Sequence, residues 1–83
     1  GLGDAGDLQI TAVSTDTRTI TPGSLFVALK GETHDGHDFL QQAADAGAAA
    51  FLVNRTLKDG EPKLPHVVVP DTLHALGDIA RLL

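Results

Sequence analysis

Two short, uninterrupted apolar runs with a helical pattern between them restrict the possible folds more than any other feature of this sequence. The runs cover residues 25–29 and 48–53, and each has the length and composition of a buried strand. Between residues 37 and 46, apolar side chains recur at helical spacing, and Gly47 stands where such a helix would end. A strand, a helix and a strand in this order predict a right-handed crossover that joins parallel strands.

Three further segments complete the predicted fold. Residues 8–13 alternate apolar and polar side chains, which favours a strand, and residues 66–69 form a short β-branched strand that Pro70 ends. Asp71 is placed to cap a second amphipathic helix. The apolar side chains of that helix are Leu73, Leu76, Ile79, Ala80 and Leu83. The order β-β-α-β-β-α predicts an α/β domain in which helices pack on a small mixed sheet.

The composition excludes several classes of function. The chain has 83 residues, which suits one small domain, and its formal charge is −5. It has no cysteine, so a disulfide scaffold, a thiolate metal site and a cysteine nucleophile are excluded. The six Lys and Arg residues are scattered and the only aromatic residues are three Phe, so we expect no nucleic-acid partner. We expect no membrane partner either, because no apolar run approaches the roughly 20 residues of a membrane-spanning helix.

Polar segments directly follow two of the predicted strands, at the sheet edge where α/β proteins tend to bind ligands. The first, residues 14–18, reads Ser-Thr-Asp-Thr-Arg, and the second covers residues 30–36. Hydroxyl and backbone N–H groups suit the edges of a pyrimidine or a sugar, and Arg18 suits a phosphate. The alternative is a local turn in which Asp16 accepts hydrogen bonds from backbone amides and Arg18 pairs with a nearby acid. The residues alone favour the turn, because such turns are common.

Residues 34–38, His-Asp-Gly-His-Asp, admit three interpretations. A structural zinc site needs four ligands, and His66 and His74 lie in unrelated elements, so we expect no metal site. Acid–base catalysis needs these groups held against a substrate, and no known nucleophile or phosphate-loop pattern accompanies them. The third interpretation is a shaped loop that runs into a helix, with glycines that let the backbone approach a ligand and Asp35 or Asp38 as the cap. We favour the shaped loop.

Nearly the whole chain from Leu8 onward resembles one protein family. The resemblance is carried by the motifs STDTR, PGSLFVALKG, DGHDF, AGAAA and VVVPDTLHALGDIA, which together are far more specific than STDTR alone. The similar part is the N-terminal domain of the Mur ligases, the ATP-dependent enzymes that build the peptidoglycan stem peptide. Within the family, the run LKG-x-x-x-DGHDF favours the member that adds D-Ala-D-Ala over the sister ligase that adds the third stem-peptide residue.

The resemblance implies that this domain holds the uridine-diphosphate end of a UDP-linked muramoyl tripeptide. The substrate-binding residues that it implies are Thr15, Asp16, Thr17, Arg18, Lys30, Gly31, Glu32, Thr33 and His34. Thr17 would contact the nucleotide end, whereas residues 32–34 would line the uracil pocket, mostly through backbone groups. The family places ATP and magnesium in a central domain, and a third domain helps to bind the incoming amino acid or dipeptide. We therefore expect no catalytic residue, metal or cofactor in this chain.

We expect residues 1–83 to form a single domain of a longer cytoplasmic protein, whose remaining domains are its partners. The chain lacks an initiator Met, and the first helix and the glycine-rich ATP loop of the family have no counterpart in it. Two alternatives stay open. One is the corresponding domain of the sister ligase, and the other is a regulatory or interaction module that has this fold without binding nucleotide.

Overall fold

The computed structural model of the protein describes residues 10–82, and its strands and helices follow the predicted order. The strands are β1 (Ala12–Ser14), β2 (Ser24–Val27), β3 (Ala50–Val53) and β4 (His66–Val68). The helices are α1 (Leu40–Asp45) and α2 (Thr72–Leu82), and short 3₁₀ turns cover Thr17–Thr19 and Gly36–Phe39. Residues 8 and 9 of the first predicted strand and Leu83 of the last predicted helix lie outside the described residues.

The four strands form one sheet in the order β1-β2-β3-β4, and every neighbouring pair is parallel. The α/β class is confirmed, and so is the β2–α1–β3 connection between parallel strands. Within residues 10–82 the sheet is parallel rather than mixed. The reason lies in the connections, since residues 15–23, 28–49 and 54–65 each return the chain to the edge where the preceding strand began.

The main core lies between the sheet and α1. Alternate residues of β2 and β3 face this side, and the rings of Phe26 and Phe51 meet edge to face with centroids 6.4 Å apart. Leu40 and Ala43 of α1 pack against them. Burial of one such large apolar side chain contributes about 1.5–3 kcal/mol, so this small cluster supplies much of the driving force for folding.

The helix α2 begins at the carboxyl end of β2 and lies over the other face of the sheet. The Thr72 hydroxyl is buried and donates a hydrogen bond to the carbonyl oxygen of Ala28 (2.7 Å). The Asp71 carboxylate accepts from the backbone N–H of His74 (3.0 Å), which confirms the predicted cap. The predicted apolar face of α2 is only partly buried, and its residue Leu73 is 66% exposed.

No helix among residues 10–82 combines the length and apolar character needed to cross a bilayer.

Two glycines set the chain reversals beside the amino ends of the strands. Gly23 has a φ of 90° in the predicted Thr-Pro-Gly-Ser turn, and the Ser24 N–H donates to the Thr21 carbonyl (3.0 Å). Gly47 has a φ of 110° just past α1, where the sequence predicted the helix to end. The Gly23 N–H donates to the Gly47 carbonyl (3.1 Å), so the two reversals support each other.

We expect the substitution Gly36→Ala to destabilise the fold. A Cβ at this position would lie 2.8 Å from the Leu29 nitrogen and 2.9 Å from the Ala28 Cα, and backbone atoms of a sheet cannot move aside cheaply. The expected loss is about 1–3 kcal/mol in the free energy of unfolding, measured by urea titration. Gly77→Ala on α2 is the matched control, because a Cβ there meets nothing within 4 Å, and we expect it to stabilise by about 0.5–1 kcal/mol. Equal stability of G36A and the unmodified chain would contradict this packing.

Candidate functional site

A cavity of about 570 Å³ lies beyond the carboxyl ends of β1 and β2. Its wall combines the predicted Ser-Thr-Asp-Thr-Arg segment with part of the loop-to-helix segment. Apolar residues at the end of β2 and in the 3₁₀ turn before α1 complete it. The lining residues are Thr15, Asp16, Thr17, Arg18, Phe26, Leu29, His34, Gly36 and Phe39. The position agrees with the general tendency of parallel sheets to bind ligands at this edge.

One side of the cavity is a rigid turn built on Asp16. The Asp16 carboxylate accepts from the backbone N–H of Arg18 (2.8 Å) and from the guanidinium, with Nη2 donating to Oδ2 at 2.7 Å. The Ser14 hydroxyl donates to the Asp16 carbonyl (2.8 Å) and closes the turn from the sheet side. These are the contacts of the local-turn interpretation, which is confirmed. The hydroxyls of Thr15 and Thr17 have no hydrogen-bond partner within residues 10–82.

The pairing of Asp16 with Arg18 fixes the charge on this wall. Hydrogen bonding from the Arg18 side chain, aided by its backbone N–H, lowers the pKa of Asp16 from 3.8 to about 2. The same pair raises the pKa of the Arg18 guanidinium. Both groups are therefore charged at neutral pH, and together they add no net charge. The Arg18 side chain is still 87% exposed, so its outer face is open to a ligand.

The opposite wall is a hairpin-like loop that returns on itself. Lys30 and Asp35 form an isolated antiparallel bridge, and the Gly31 N–H donates to the carbonyl of His34 (2.7 Å). The Gly36 N–H donates to the Leu29 carbonyl (2.7 Å), which holds the end of the loop against β2. This arrangement matches the shaped loop that we favoured for residues 34–38.

Inside this loop, the imidazole of His34 packs against Phe39 on the cavity wall, with ring centroids 6.3 Å apart. Its Nδ1 lies 2.8 Å from the Thr33 hydroxyl. His34 is exposed, whereas His37, three residues later, is only 2% exposed. The two histidines of the motif therefore have different environments, which their spacing did not indicate.

The Asp35 carboxylate caps the turn that follows the loop. It accepts from the His37 backbone N–H at 3.0 Å and lies 2.6 Å from His37 Nδ1, so of the two predicted caps it is Asp35 that serves. Burial raises the pKa of the Asp35 carboxyl, but the hydrogen bonds from His37 and the charge of Lys30 outweigh it and hold the pKa below its usual range. Asp35 is consequently an ionised structural acceptor at neutral pH.

The structure brings together some of the predicted site residues and separates others. Thr15, Asp16, Thr17, Arg18 and His34 share the cavity. Lys30 and Gly31 instead line a separate cleft of about 460 Å³, beside Asn54 and the start of α2. Glu32 and Thr33 are exposed and line neither. Contact of any of these residues with a ligand stays a prediction.

Sequence reasoning missed the apolar part of the cavity. Phe26, Leu29 and Phe39 had been taken as ordinary strand and helix residues, yet they line the wall together with Gly36. Leu29 directly precedes a polar segment and Phe39 directly follows one at the carboxyl edge of the sheet, and this is the signal that could have identified them. Apolar residues beside hydroxyls that have no partner within residues 10–82 suit a ring with polar edges, such as a nucleobase.

The described residues contain no group that fits a metal ion. Within residues 10–82, no three His, Asp or Glu side chains lie close enough together to serve as ligands. The carboxylates nearest the cavity, Asp16 and Asp35, already accept hydrogen bonds from Arg18 and His37.

Comparison with known proteins identifies relatives over most of this chain. A family model described as the Mur ligase family, catalytic domain, matches residues 9–82. UDP-N-acetylmuramoyl-tripeptide–D-alanyl-D-alanine ligase of Escherichia coli (strain K12) is 53% identical over 74 residues, which are 89% of this chain and 16% of that protein. UDP-N-acetylmuramoyl-L-alanyl-D-glutamate–2,6-diaminopimelate ligase of Geobacillus thermodenitrificans is 45% identical over 75 residues, which are 90% of this chain and 15% of that protein.

Solved structures show the same similarity. A crystal structure of MurF from Acinetobacter baumannii superposes with a TM-score of 0.74 and 37% sequence identity. The superposition covers 82% of this chain and 14% of that one. The chain thus spans only about a sixth of the length of the curated relatives that it matches.

We expect the substitution Arg18→Gln to raise the pKa of Asp16 from about 2 toward its ordinary value of 3.8, because the Arg18 side chain is the main cause of the depression. A depressed carboxyl pKa stabilises the turn above about pH 3.8, and this contribution is lost as the pH falls toward 2. The backbone amide of residue 18 is the reporter, since it donates to Asp16, and its NMR shift is followed while the pH is lowered from neutral. An unmodified chain whose amide titrates near pH 3.8 would contradict the pairing.

Proposed function

This chain belongs to the Mur ligase family, and we propose that it is the N-terminal, substrate-docking domain of a longer ligase. In this role it holds the uridine-diphosphate end of a UDP-linked muramoyl tripeptide. The support is that residues 9–82 match the family and that the relatives are about six times longer than this chain. Their length leaves room for the domains that carry the reaction.

The observation that carries the proposal is the cavity between the Asp16 turn and the residue 30–36 loop. The hydroxyls of Thr15 and Thr17, which have no partner within residues 10–82, supply donors and acceptors for the edge of a uracil or a ribose. Phe39 is half-buried and supplies an apolar surface for the ring, and Arg18 offers its exposed guanidinium to a phosphate. A volume of about 570 Å³ is in the range of small-molecule sites.

ATP and magnesium belong to the proposal for the parent protein and not to this domain. Asp16 and Asp35 are engaged in the turns described above, and the described residues offer no third ligand beside them. Both carboxylates beside the cavity are thus engaged by the fold, which argues against a magnesium–nucleotide complex at this site. We assign that complex, and the amide-forming chemistry of an ATP-dependent ligase, to the remaining domains of the parent, which we place in the cytoplasm.

Within the family, we propose that the parent adds D-Ala-D-Ala to the tripeptide. The relative with this activity in its name is 53% identical over 74 residues, and a diaminopimelate-adding relative is 45% identical over 75 residues. The sister ligase is thus the second candidate, and both share the UDP-linked end of the substrate. An assay of the parent protein with each amine substrate separates them, because only one amine should support ATP-dependent amide formation.

We expect UDP to bind in the cavity and to shift the backbone amides of residues 15–18 and 34 in NMR spectra of the 83-residue chain. AMP is the control ligand, since a purine presents different edges to the same wall. Binding is expected in the millimolar range, because the other domains that would enclose the ligand are absent. If a folded sample shows no UDP-dependent shifts in these segments, the docking role of this cavity is wrong and the interaction-module alternative takes its place.

A pair of arginine variants tests the assigned orientation of the ligand. Arg18→Gln is expected to weaken UDP binding about two- to fivefold, as for loss of one exposed ion pair, and to leave uridine binding unchanged. Arg81→Gln is the matched control, because Arg81 is also exposed and paired with a nearby Asp, but lies on α2 away from the cavity. A similar loss for uridine and UDP in R18Q would place Arg18 against the base or the turn rather than the phosphates.

A further inference from the structure

His37 is a buried histidine that does not line the cavity proposed to hold the nucleotide. Its side chain is only 2% exposed, and it lies between the residue 30–36 loop and the end of β3. Buried polar groups of this kind are costly unless both ring nitrogens have partners. Here both have one, and the partners come from different parts of the chain.

The partners define the tautomer of the ring. The backbone N–H of Asn54 donates to His37 Nε2 (3.0 Å), so Nε2 carries no proton. The proton of the neutral imidazole is therefore on Nδ1, which donates to the Asp35 carboxylate (2.6 Å). The charge of Lys30 acts on Asp35, and the charges of Asp35 and Asp38 both act on Arg55.

These two bonds connect the cavity wall to the sheet. Asp35 forms the base of the loop through its bridge with Lys30, and Gly36 next to it lines the cavity. Asn54 directly follows β3, so its N–H is fixed by the central sheet. The imidazole thus connects the loop to the end of β3 through Asn54. The Gly36–Leu29 hydrogen bond connects the same loop to the end of β2.

We infer that His37 is a positioning residue for the nucleotide cavity. As a neutral imidazole protonated on Nδ1, it holds residues 34–36 at the distance from the Asp16 turn that a uridine nucleotide requires. This inference rests on the proposed docking function, which it deepens by naming the group that sets the width of the site. Loss of the Asn54 contact frees the loop and weakens binding, even though His37 itself does not line the cavity.

Two substitutions separate the two hydrogen bonds. His37→Gln keeps an acceptor at about the position of Nε2 and so can retain the bond from Asn54. His37→Asn is shorter, keeps only a donor toward Asp35, and leaves the Asn54 N–H unpaired. His74→Gln is the matched control, since His74 is exposed on α2.

The experiment measures UDP affinity from the amide shifts of residues 15–18 and, separately, the urea unfolding midpoint of each variant. We expect H37N to bind UDP about fivefold more weakly or worse, as for the loss of one hydrogen bond that orders the site. H37Q is expected to stay within about twofold of the unmodified chain, as is H74Q. The nitrogen-15 spectrum of the His37 ring should show a protonated Nδ1 and a bare Nε2.

The outcomes distinguish this inference from the proposed function. If H37N lowers stability but its folded form binds UDP as well as the unmodified chain does, His37 is a structural residue only and the inference is wrong, while the docking function stands. A ring protonated on Nε2 also overturns it. If H37N does not fold, the UDP affinity of H37Q and the protonation of the His37 ring still test the inference. A loss of UDP affinity in H37Q well beyond twofold would contradict it. If the unmodified chain itself does not bind UDP, the docking function fails first, and this inference fails with it.

Discussion

The close contact between Gly36 and the carboxyl end of β2 is the constraint on which the cavity depends. The Gly36 N–H donates to the Leu29 carbonyl, and there is no room for a Cβ between it and the Ala28 backbone. Ala28 in turn donates its N–H to the Leu52 carbonyl and accepts the Thr72 hydroxyl. One short segment of backbone therefore anchors the loop, the central sheet and α2. The position of the cavity wall is thus fixed by contacts with the backbone of the buried Ala28 and of Leu29.

The polar side chains of the site are mostly engaged with one another, and this explains how a small domain can present a shaped surface. Asp16 is held by Arg18 and Ser14, and Asp35 is held by His37. Each carboxylate fixes a turn that would otherwise sample many conformations, so the entropy of ordering the loops is lost on folding rather than on ligand binding. What remains for a ligand is the hydroxyls, the outer face of the guanidinium and the apolar wall.

Local patterns predicted most of the fold because its elements are locally encoded. The apolar runs became β2 and β3, Gly47 ends α1, and Asp71 caps α2 as expected. The parallel pairing of β2 with β3 was predicted, but that of β1 with β2 and of β3 with β4 was not, since strand direction depends on where long connections return. Lys30 and His34 were predicted to share one site, but the loop folds back between them. His34 lines the cavity, whereas Lys30 lines the separate cleft beside α2. The partner of His37 Nε2 is the N–H of Asn54, 17 residues away, which no local pattern could indicate.

The charge around the cavity decides how such a site can recognise a diphosphate. Arg18 lines the cavity, but Asp16 compensates its charge, and the whole chain carries a net charge of −5. Long-range attraction therefore adds little to nucleotide affinity, and an exposed ion pair adds at most about 1 kcal/mol. Selectivity must then come from short-range contacts to the base and sugar, which depend steeply on the spacing of the two walls. For this reason a buried residue that fixes the spacing, such as His37, matters at least as much as the exposed arginine that faces the phosphates.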